Sequence, residues 1–248
     1  MEQIKKIKPR DYAIEQIQWY IKENKLGSHA KLPGERDMCA MWDLNRSTLR
    51  SAIKRLIEEG ILYSAVGSGT YVAPPKFRMN LQDAKSTTES LRGTGNFLWT
   101  ETVWSQLRDA DALLAEKLGI PQGEKVFHLI RLRRKNNIPF RIEESFLNHS
   151  LCQGIEKHNF TDESLYKILK KNGIFPEKGS EEIGIAYVTG QEAKWLEIEE
   201  NQAVFRLEGV TRDDEERIIE YFRILARADQ VQFSSVLTVE FEKNGGVQ

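Results

Sequence analysis

The sequence predicts an α+β protein with two folded parts, and three patterns carry this prediction. The N-terminal segment reads as three amphipathic helices followed by a small β-hairpin. Two prolines and then polar residues without a clear period follow around residues 74–90, so we expect a linker or an extended lead-in strand at 76–90. The C-terminal segment repeats a helix–strand–strand pattern, which is typical of helices packed on a mixed sheet. We therefore expect one domain at 1–75 and a second at 91–248.

Composition limits the class of protein. The chain has 248 residues, 40% of them hydrophobic, and a formal net charge of -1, so it can bury one large core or two smaller ones and is not strongly basic overall. Residues 1–75 hold 12 lysines and arginines against 9 acidic residues, a small local positive excess. The sequence shows neither an apolar run near the ~18 residues of a membrane span nor a signal-peptide pattern, so we expect a soluble cytoplasmic protein.

Metal and enzymatic chemistry have little support in the sequence. Cys39 and Cys152 lie far apart and lack the spacing of metal ligands, so neither a disulfide framework nor a zinc site is predicted. The four histidines are scattered, and the sequence contains no Ser-His-Asp grouping or glycine-rich phosphate loop. We predict no metal, no cofactor and no enzymatic activity. Lyase-like chemistry by paired glutamates is the weaker alternative.

The third predicted helix has two contrasting faces. Asn45 is suited to cap a helix that begins near Arg46. One face is apolar and consists of Leu49, Ala52, Ile53, Leu56 and Ile57. The opposite face holds Arg46, Ser47, Arg50 and Lys54, and arginine forks can bind guanine edges or phosphates. Taken alone, such a face is either an ordinary solvated surface or a DNA-reading one.

Four motif fragments follow one another through the N-terminal part. They are Leu32, Pro33, Glu35 and Arg36; Arg46, Thr48 and Arg50; Glu59, Gly60 and Ile61; and Gly67, Gly69, Thr70 and Val72. In this order and spacing, over nearly all of residues 10–73, they resemble the winged-helix domain of GntR-type bacterial transcription regulators. The resemblance implies a homodimer on near-palindromic operator DNA. The residues it implies as DNA contacts are Arg36, Arg46, Ser47, Thr48, Arg50 and Gly69.

The C-terminal segment repeats itself at a constant offset of 78 residues. AEKLGIPQGEKVFHL at 115–129 aligns with AKWLEIEENQAVFRL at 193–207, and each copy continues into a polar turn and a second strand. If the second polar turn is one residue shorter than the first, Glu143 corresponds to Glu220. A chance similarity between two amphipathic hairpins is the alternative.

Arg131 and Arg133 alternate along one predicted strand, so both side chains lie on the same face of the sheet. An unpaired buried charge is costly, so both side chains must meet anionic partners or reach water. The anionic partners are either carboxylates of the next strand or a small acidic ligand held by guanidinium forks, and residue chemistry leaves both open. A two-residue turn at 136–137 would put Glu144 on the arginine face, whereas an odd-length loop would put Glu143 there.

The fragments RLRRKNNIPFRIEESFLN, SLYKIL, IIEYF and ARADQVQF, within roughly residues 85–243, resemble landmarks of the UTRA effector domain of HutC-type GntR regulators. The resemblance implies a chorismate-lyase-like fold with an effector pocket. The residues it implies for that pocket are Arg131, Arg133, Glu143, Ser164, Tyr166 and Glu220. Ser164 has a plainer interpretation as the first residue of its helix or its N-cap. Ala226 and Val231 stand where relatives that bind phosphorylated amino sugars carry tyrosines, so aromatic walls for a sugar ring are expected to be missing.

Together the resemblances imply a sequence-specific DNA-binding transcription regulator, acting as a repressor. Its operator affinity would respond to a small acidic metabolite such as a sugar phosphate, a phosphonate or another organic acid. The expected partners are double-stranded operator DNA, this effector and a second copy of the chain, with no membrane. The alternative is a DNA-binding regulator whose C-terminal domain only dimerises.

Overall fold

The structure, a computed structural model, describes residues 8–80, 98–161 and 163–235. The N-terminal elements are α1 (Pro9–Glu23), α2 (Glu35–Trp42), α3 (Arg46–Glu58), β1 (Leu62–Ala65) and β2 (Gly69–Val72). The remaining elements are β3 (Phe77–Asn80), β4 (Leu98–Asp109), α4 (Ala112–Leu118), β5 (Lys125–Lys135), β6 (Ile138–Asn148), a 3-10 turn (Ile155–Lys157), α5 (Leu165–Lys171), β7 (Pro176–Tyr187), α6 (Gly190–Leu196), β8 (Ala203–Asp213), β9 (Ile218–Arg227) and β10 (Val231–Ser234). The predicted α+β class is confirmed.

The first three helices pack around one apolar core. The core is formed by Ala13, Ile17, Leu32, Met38, Leu49, Ala52, Ile53, Leu56 and Leu62. The predicted apolar face of α3 accounts for four of these residues, and Ile57 packs partly buried against them. The predicted N-cap is also confirmed, because the backbone N–H of Thr48 donates to Oδ1 of Asn45 at 2.8 Å. Packing and capping together fix which face of α3 remains exposed.

A short β-hairpin, the wing, follows α3. Its strands β1 and β2 pair antiparallel, from Leu62 opposite Val72 to Ala65 opposite Gly69. The rings of Tyr63 and Tyr71 stack with their centroids 5.4 Å apart, which stabilises the pair on one face.

The C-terminal part is built on a six-stranded sheet in the order β4-β5-β6-β9-β8-β7, antiparallel throughout. The prediction of a mixed sheet is wrong for these six strands, because short turns join β5 to β6 and β8 to β9 as antiparallel neighbours. Helices α4 and α6 cover one face of this sheet, and α5 packs on the other. Within the described ranges, parallel pairing occurs between β3 and β10 alone. β3 lies in the predicted 76–90 linker and takes the extended form, while residues 81–90 lie outside the described residues. No helix that the structure describes is both long and apolar enough to cross a membrane.

The helix–strand–strand repeat is visible in the element order. Ala112 and Gly190 begin the two helices, and Lys125 and Ala203 begin the first strands, in each case 78 positions apart. The repeat thus relates α4-β5-β6 to α6-β8-β9, with both helices on the same face of the sheet.

The predicted correspondence of Glu143 with Glu220 is wrong. The turn between β5 and β6 has two residues, whereas the turn between β8 and β9 has four, so the second turn is the longer one. Glu143 lies opposite Arg131 on β5, and Glu220 lies opposite Thr211 on β8. At the repeat offset of 78, Arg131 would correspond to position 209 and not to Thr211. The two glutamates therefore occupy different places in their hairpins.

Candidate DNA-binding face and anion site

Helix α3 presents a polar face to solvent, opposite the face that packs in the core. Arg46, Ser47 and Arg50 are exposed, and Thr48 is half-buried. The side chain of Arg50 is 73% exposed, and its Nε lies 3.5 Å from Oε1 of Glu35 at the start of α2. An exposed ion pair of this kind is weak, so Arg50 can exchange Glu35 for an anionic or acceptor group of DNA at little cost.

The other two predicted DNA contacts lie outside α3. Arg36 is exposed in the first turn of α2, next to the glutamate that pairs with Arg50. Gly69 is exposed where β2 begins and has a φ of 132°, which residues with a Cβ rarely adopt. Gly67, at the tip, has a φ of 72° and open space where a Cβ would stand. At these two positions the wing presents bare backbone.

Three buried arginines surround one carboxylate on the sheet face that α5 covers. Arg131 Nη2 lies 2.7 Å from Oε2 of Glu143, and Arg141 Nε donates to Oε1 of the same group at 2.7 Å. Arg133 Nε lies 3.9 Å from Oε1. Each of the four residues is at most 6% exposed. We call Arg131, Arg133, Arg141 and Glu143 the arginine cluster.

Positive charge is crowded in the arginine cluster. Burial lowers the pKa of Arg133 to about 10; the charge of Glu143 opposes this, and the like charges of Arg131 and Arg141 add to it. The Nε of Arg131 is buried and has no hydrogen-bond partner in the part of the chain that the structure describes. Because a buried donor without an acceptor is costly, this N–H is a ready contact for a bound anion.

A β-bulge decides which glutamate joins the cluster. The turn at 136–137 has two residues, both with positive φ, as a type I′ turn requires. Counted from this turn alone, the arginine face would receive Glu144. The register instead shifts by one residue just beyond the turn, and Arg131 lies opposite Glu143. The prediction that a two-residue turn puts Glu144 on this face is therefore wrong, because the bulge adds one residue to β6.

A second polar group, centred on Glu220, contains the remaining carboxylate of the predicted pocket. Tyr166 donates to Glu220 Oε2 at 3.0 Å, and Thr211 donates to the same oxygen at 3.2 Å. Burial raises the pKa of Glu220, while hydrogen bonds from Ser145 and Tyr166 and the charge of Arg131 oppose the rise. Since the Arg131 charge acts on both glutamates, it links this group to the arginine cluster.

The contacts thus bring together five of the six predicted effector residues, in two linked groups. Ser164 is the N-cap residue of α5, two positions before Tyr166, and it is buried. Its side chain makes no capping hydrogen bond. The plainer interpretation of Ser164 is therefore right about its position, while its hydroxyl takes no part in capping.

Both parts of the chain match known protein families. Residues 9–72 match the family described as bacterial regulatory proteins, gntR family, and residues 98–232 match the UTRA domain. The chain belongs to the GntR family and carries a UTRA domain.

This GntR regulator is similar to several known proteins over most of their length. It is 28% identical over 220 residues to the HTH-type transcriptional repressor NagR of Bacillus subtilis, covering 89% of this chain and 90% of that one. It is 31% identical to the probable transcriptional regulator PhnF of Escherichia coli, covering 82% and 85%. The crystal structure of PhnF from Mycobacterium smegmatis superposes with a TM-score of 0.67 at 25% identity, covering 92% and 100%. The chain is therefore a DNA-binding transcription regulator and not an enzyme, as the sequence predicted.

Arg141, Ser145 and Thr211 are members of the regulator's polar site that the sequence analysis did not predict. A signal was present for each. Arg141 and Ser145 stand two positions before and after Glu143 and so share its face of β6, and Thr211 lies opposite Glu220 on the neighbouring strand. The two positions without tyrosine, Ala226 and Val231, are at most 1% exposed and pack in a small core, so neither forms a pocket wall.

Glu144 of the GntR regulator points to the opposite face of the sheet. Its Oε1 lies 2.9 Å from Nε2 of His128, and its Oε2 lies 2.7 Å from Nη2 of Arg223. Burial raises the pKa of Glu144, but hydrogen bonds and charge from these two partners outweigh it and lower the pKa below the usual value. This ion-pair group is separate from the arginine cluster and offers matched control positions.

Proposed function

We propose that this regulator is a repressor whose operator affinity is modulated by a small acidic effector bound at the arginine cluster. The observation that carries the proposal is the buried Nε of Arg131, which lacks a hydrogen-bond partner among the described residues and stands beside two further buried guanidinium groups. Guanidinium forks bind phosphate, phosphonate and carboxylate groups bidentately. An acidic effector would satisfy the open donor and reduce the repulsion among the arginines.

The DNA half of the proposal uses the exposed face of α3 and the wing. Arg36, Arg46, Ser47, Thr48, Arg50 and Gly69 are the proposed contacts. A recognition helix reads bases from the major groove, and two copies of it read a near-palindromic site, so we propose a homodimer on operator DNA. Sedimentation of the purified chain with and without DNA tests this assembly. Because a bacterial operator lies in the cytoplasm, we propose that the regulator acts there.

The described contacts offer a route from the effector site to α3. The backbone O of Asp229, in the turn between β9 and β10, lies against Gly60, two residues beyond the end of α3. The same turn accepts a hydrogen bond from Lys76 Nζ to the backbone O of Ala228 at 2.7 Å. We propose that an effector which favours one position of this turn changes the arrangement of the DNA-binding parts. It can do so only through its differential affinity for the two arrangements.

The test is a thermal-shift and DNA-binding assay with inorganic phosphate, simple phosphate esters, phosphonates and carboxylic acids as probes. A true effector at 100 times its Kd should stabilise the protein by about 2.7 kcal/mol. Arg131→Met should remove this stabilisation. Arg223→Met, which removes an ion-paired arginine from the opposite face of the sheet, should retain it. A wild-type protein that binds operator DNA but is stabilised by none of the probes would contradict an acidic effector.

A second candidate keeps the DNA-binding function but gives the C-terminal domain only an assembly role. It is favoured by the ion pair between Arg131 and Glu143 at 2.7 Å, because the cluster already contains its own carboxylate. In that case no acidic probe should shift the melting temperature or the operator affinity. When Glu143 is replaced, no acidic probe should restore the lost stability.

A further inference from the structure

Two carboxylates of the proposed effector site already have close partners within the protein. Glu143 is held on both oxygens, with Arg131 at Oε2 and Arg141 at Oε1. Glu220 accepts hydrogen bonds from the hydroxyl groups of Tyr166 and Thr211. Neither carboxylate is therefore placed to receive a cationic group of a ligand without first giving up buried contacts, which is costly.

Arg141 is the residue that occupies Oε1 of Glu143. Its side chain is buried beside the carboxylate, with Nε at 2.7 Å and Nη2 also in contact. Loss of Arg141 would remove its contacts with Oε1 of Glu143, while Arg131 would remain at Oε2 and Arg133 Nε at 3.9 Å from Oε1. Oε1 of Glu143 would then be able to accept a hydrogen bond from an ammonium or hydroxyl group of a ligand.

The charges of the site also disfavour a cation. An ammonium group placed next to three buried guanidinium groups meets like charge in a region of low dielectric, where such repulsion is strong. Burial lowers the pKa of Arg133, and the like charges of Arg131 and Arg141 add to this effect. The open Nε of Arg131 is a donor and adds only to the binding of an acceptor.

We propose that Arg141 is a specificity-determining residue, which holds Glu143 as an internal counter-ion so that the site selects acids without an ammonium group. The effector class is then a phosphate ester, phosphonate or carboxylic acid whose remaining part is neutral or acidic, and zwitterionic or amino-substituted acids are excluded. This inference rests on the proposed function and narrows it.

The test compares ethyl phosphate with O-phosphoethanolamine, which differ by one ammonium group, using the full chain and inorganic phosphate as a third probe. Calorimetric titration should show wild-type protein binding ethyl phosphate at least about tenfold more tightly than O-phosphoethanolamine, because the guanidinium groups repel the ammonium. Arg141→Met should lower the ratio of the affinity for ethyl phosphate to that for O-phosphoethanolamine, or invert it, because Glu143 can then accept a hydrogen bond from the ammonium group. Arg223→Met, on the opposite sheet face, should leave the ratio as in the wild type.

Each outcome separates the two proposals. If wild-type protein binds both esters equally, or prefers O-phosphoethanolamine, the role of Arg141 is overturned while the acidic effector stands. If none of the three probes binds wild-type protein, the anion site itself is overturned. Should Arg141→Met fail to fold, Arg141→Gln removes the positive charge but keeps a polar side chain beside Glu143. An unchanged ratio in whichever of these variants folds would overturn the role of Arg141.

Discussion

Replacing Arg50 by alanine is the most direct test of the DNA-binding face. The side chain is 73% exposed, and its ion pair with Glu35 spans 3.5 Å. A pair of this kind stabilises a fold by about 0–1 kcal/mol, so the variant should unfold at nearly the same temperature as the wild type. If Arg50 binds a base bidentately, its loss should weaken the operator complex by about 1–3 kcal/mol, or roughly 5- to 150-fold.

Fluorescence anisotropy can measure this loss on an operator that the wild-type protein selects from a randomised duplex pool. A base contact predicts a larger loss on the selected operator than on unrelated duplex. A phosphate contact predicts an equal loss on both and a salt slope reduced by about 1. Arg55→Ala is the matched control, because Arg55 lies on the same helix, is 54% exposed and pairs with Glu59. If Arg50→Ala binds the operator as tightly as Arg55→Ala does, Arg50 does not contact DNA and the assignment of this face fails.

Two further predictions concern stability. At Gly60, where φ is 66°, an added Cβ would lie 2.1 Å from the backbone O of Asp229, whereas Gly67 has a similar φ of 72° and open space around it. Gly60→Ala should therefore cost more than the ~1–2 kcal/mol of backbone strain expected for Gly67→Ala in urea unfolding, and equal losses would mean that the contact with Asp229 is not maintained in solution. The lowered pKa of Glu144 means that its stabilisation is present above the unfolded pKa of about 4.3 and is lost as pH falls through the folded value. Glu144→Gln should be less stable than wild type by about 1–3 kcal/mol at pH 6, and this difference should shrink below pH ~4; a constant difference from pH 3 to 6 would contradict the ion pairing.

The parts of the molecule that local sequence predicts are those that local forces determine. The start of α3, its Asn45 cap and its buried face follow from contacts within one helix and its neighbours in the chain. The offset of 78 likewise locates the second helix and strand, because each unit forms the same local elements.

The register of the arginine cluster could not be predicted in this way. The bulge leaves Phe140 between Pro139, which lies opposite Arg134, and Arg141, which lies opposite Arg133. Phe140 is 1% exposed and packs in a core with residues from β3, β9 and β10, distant in the chain. A bulge set by such long-range packing moves Glu143 onto the arginine face. Turn length alone therefore points to the wrong glutamate.

That same packing ties the arginine cluster to the end of α3. Arg141 lies opposite Ala226 on β9, and the next residue, Arg227, donates to the backbone O of Pro139 beside the bulge at 3.2 Å. Arg227 also pairs with Asp229 at 2.6 Å, in the turn whose backbone meets Gly60. If an effector moved Arg141, the movement would act on the β6–β9 pair, which Arg227 connects to the bulge through Pro139 and to the turn at Gly60 through Asp229. About 1.4 kcal/mol of difference between two positions of the turn would be enough for a tenfold change in operator affinity.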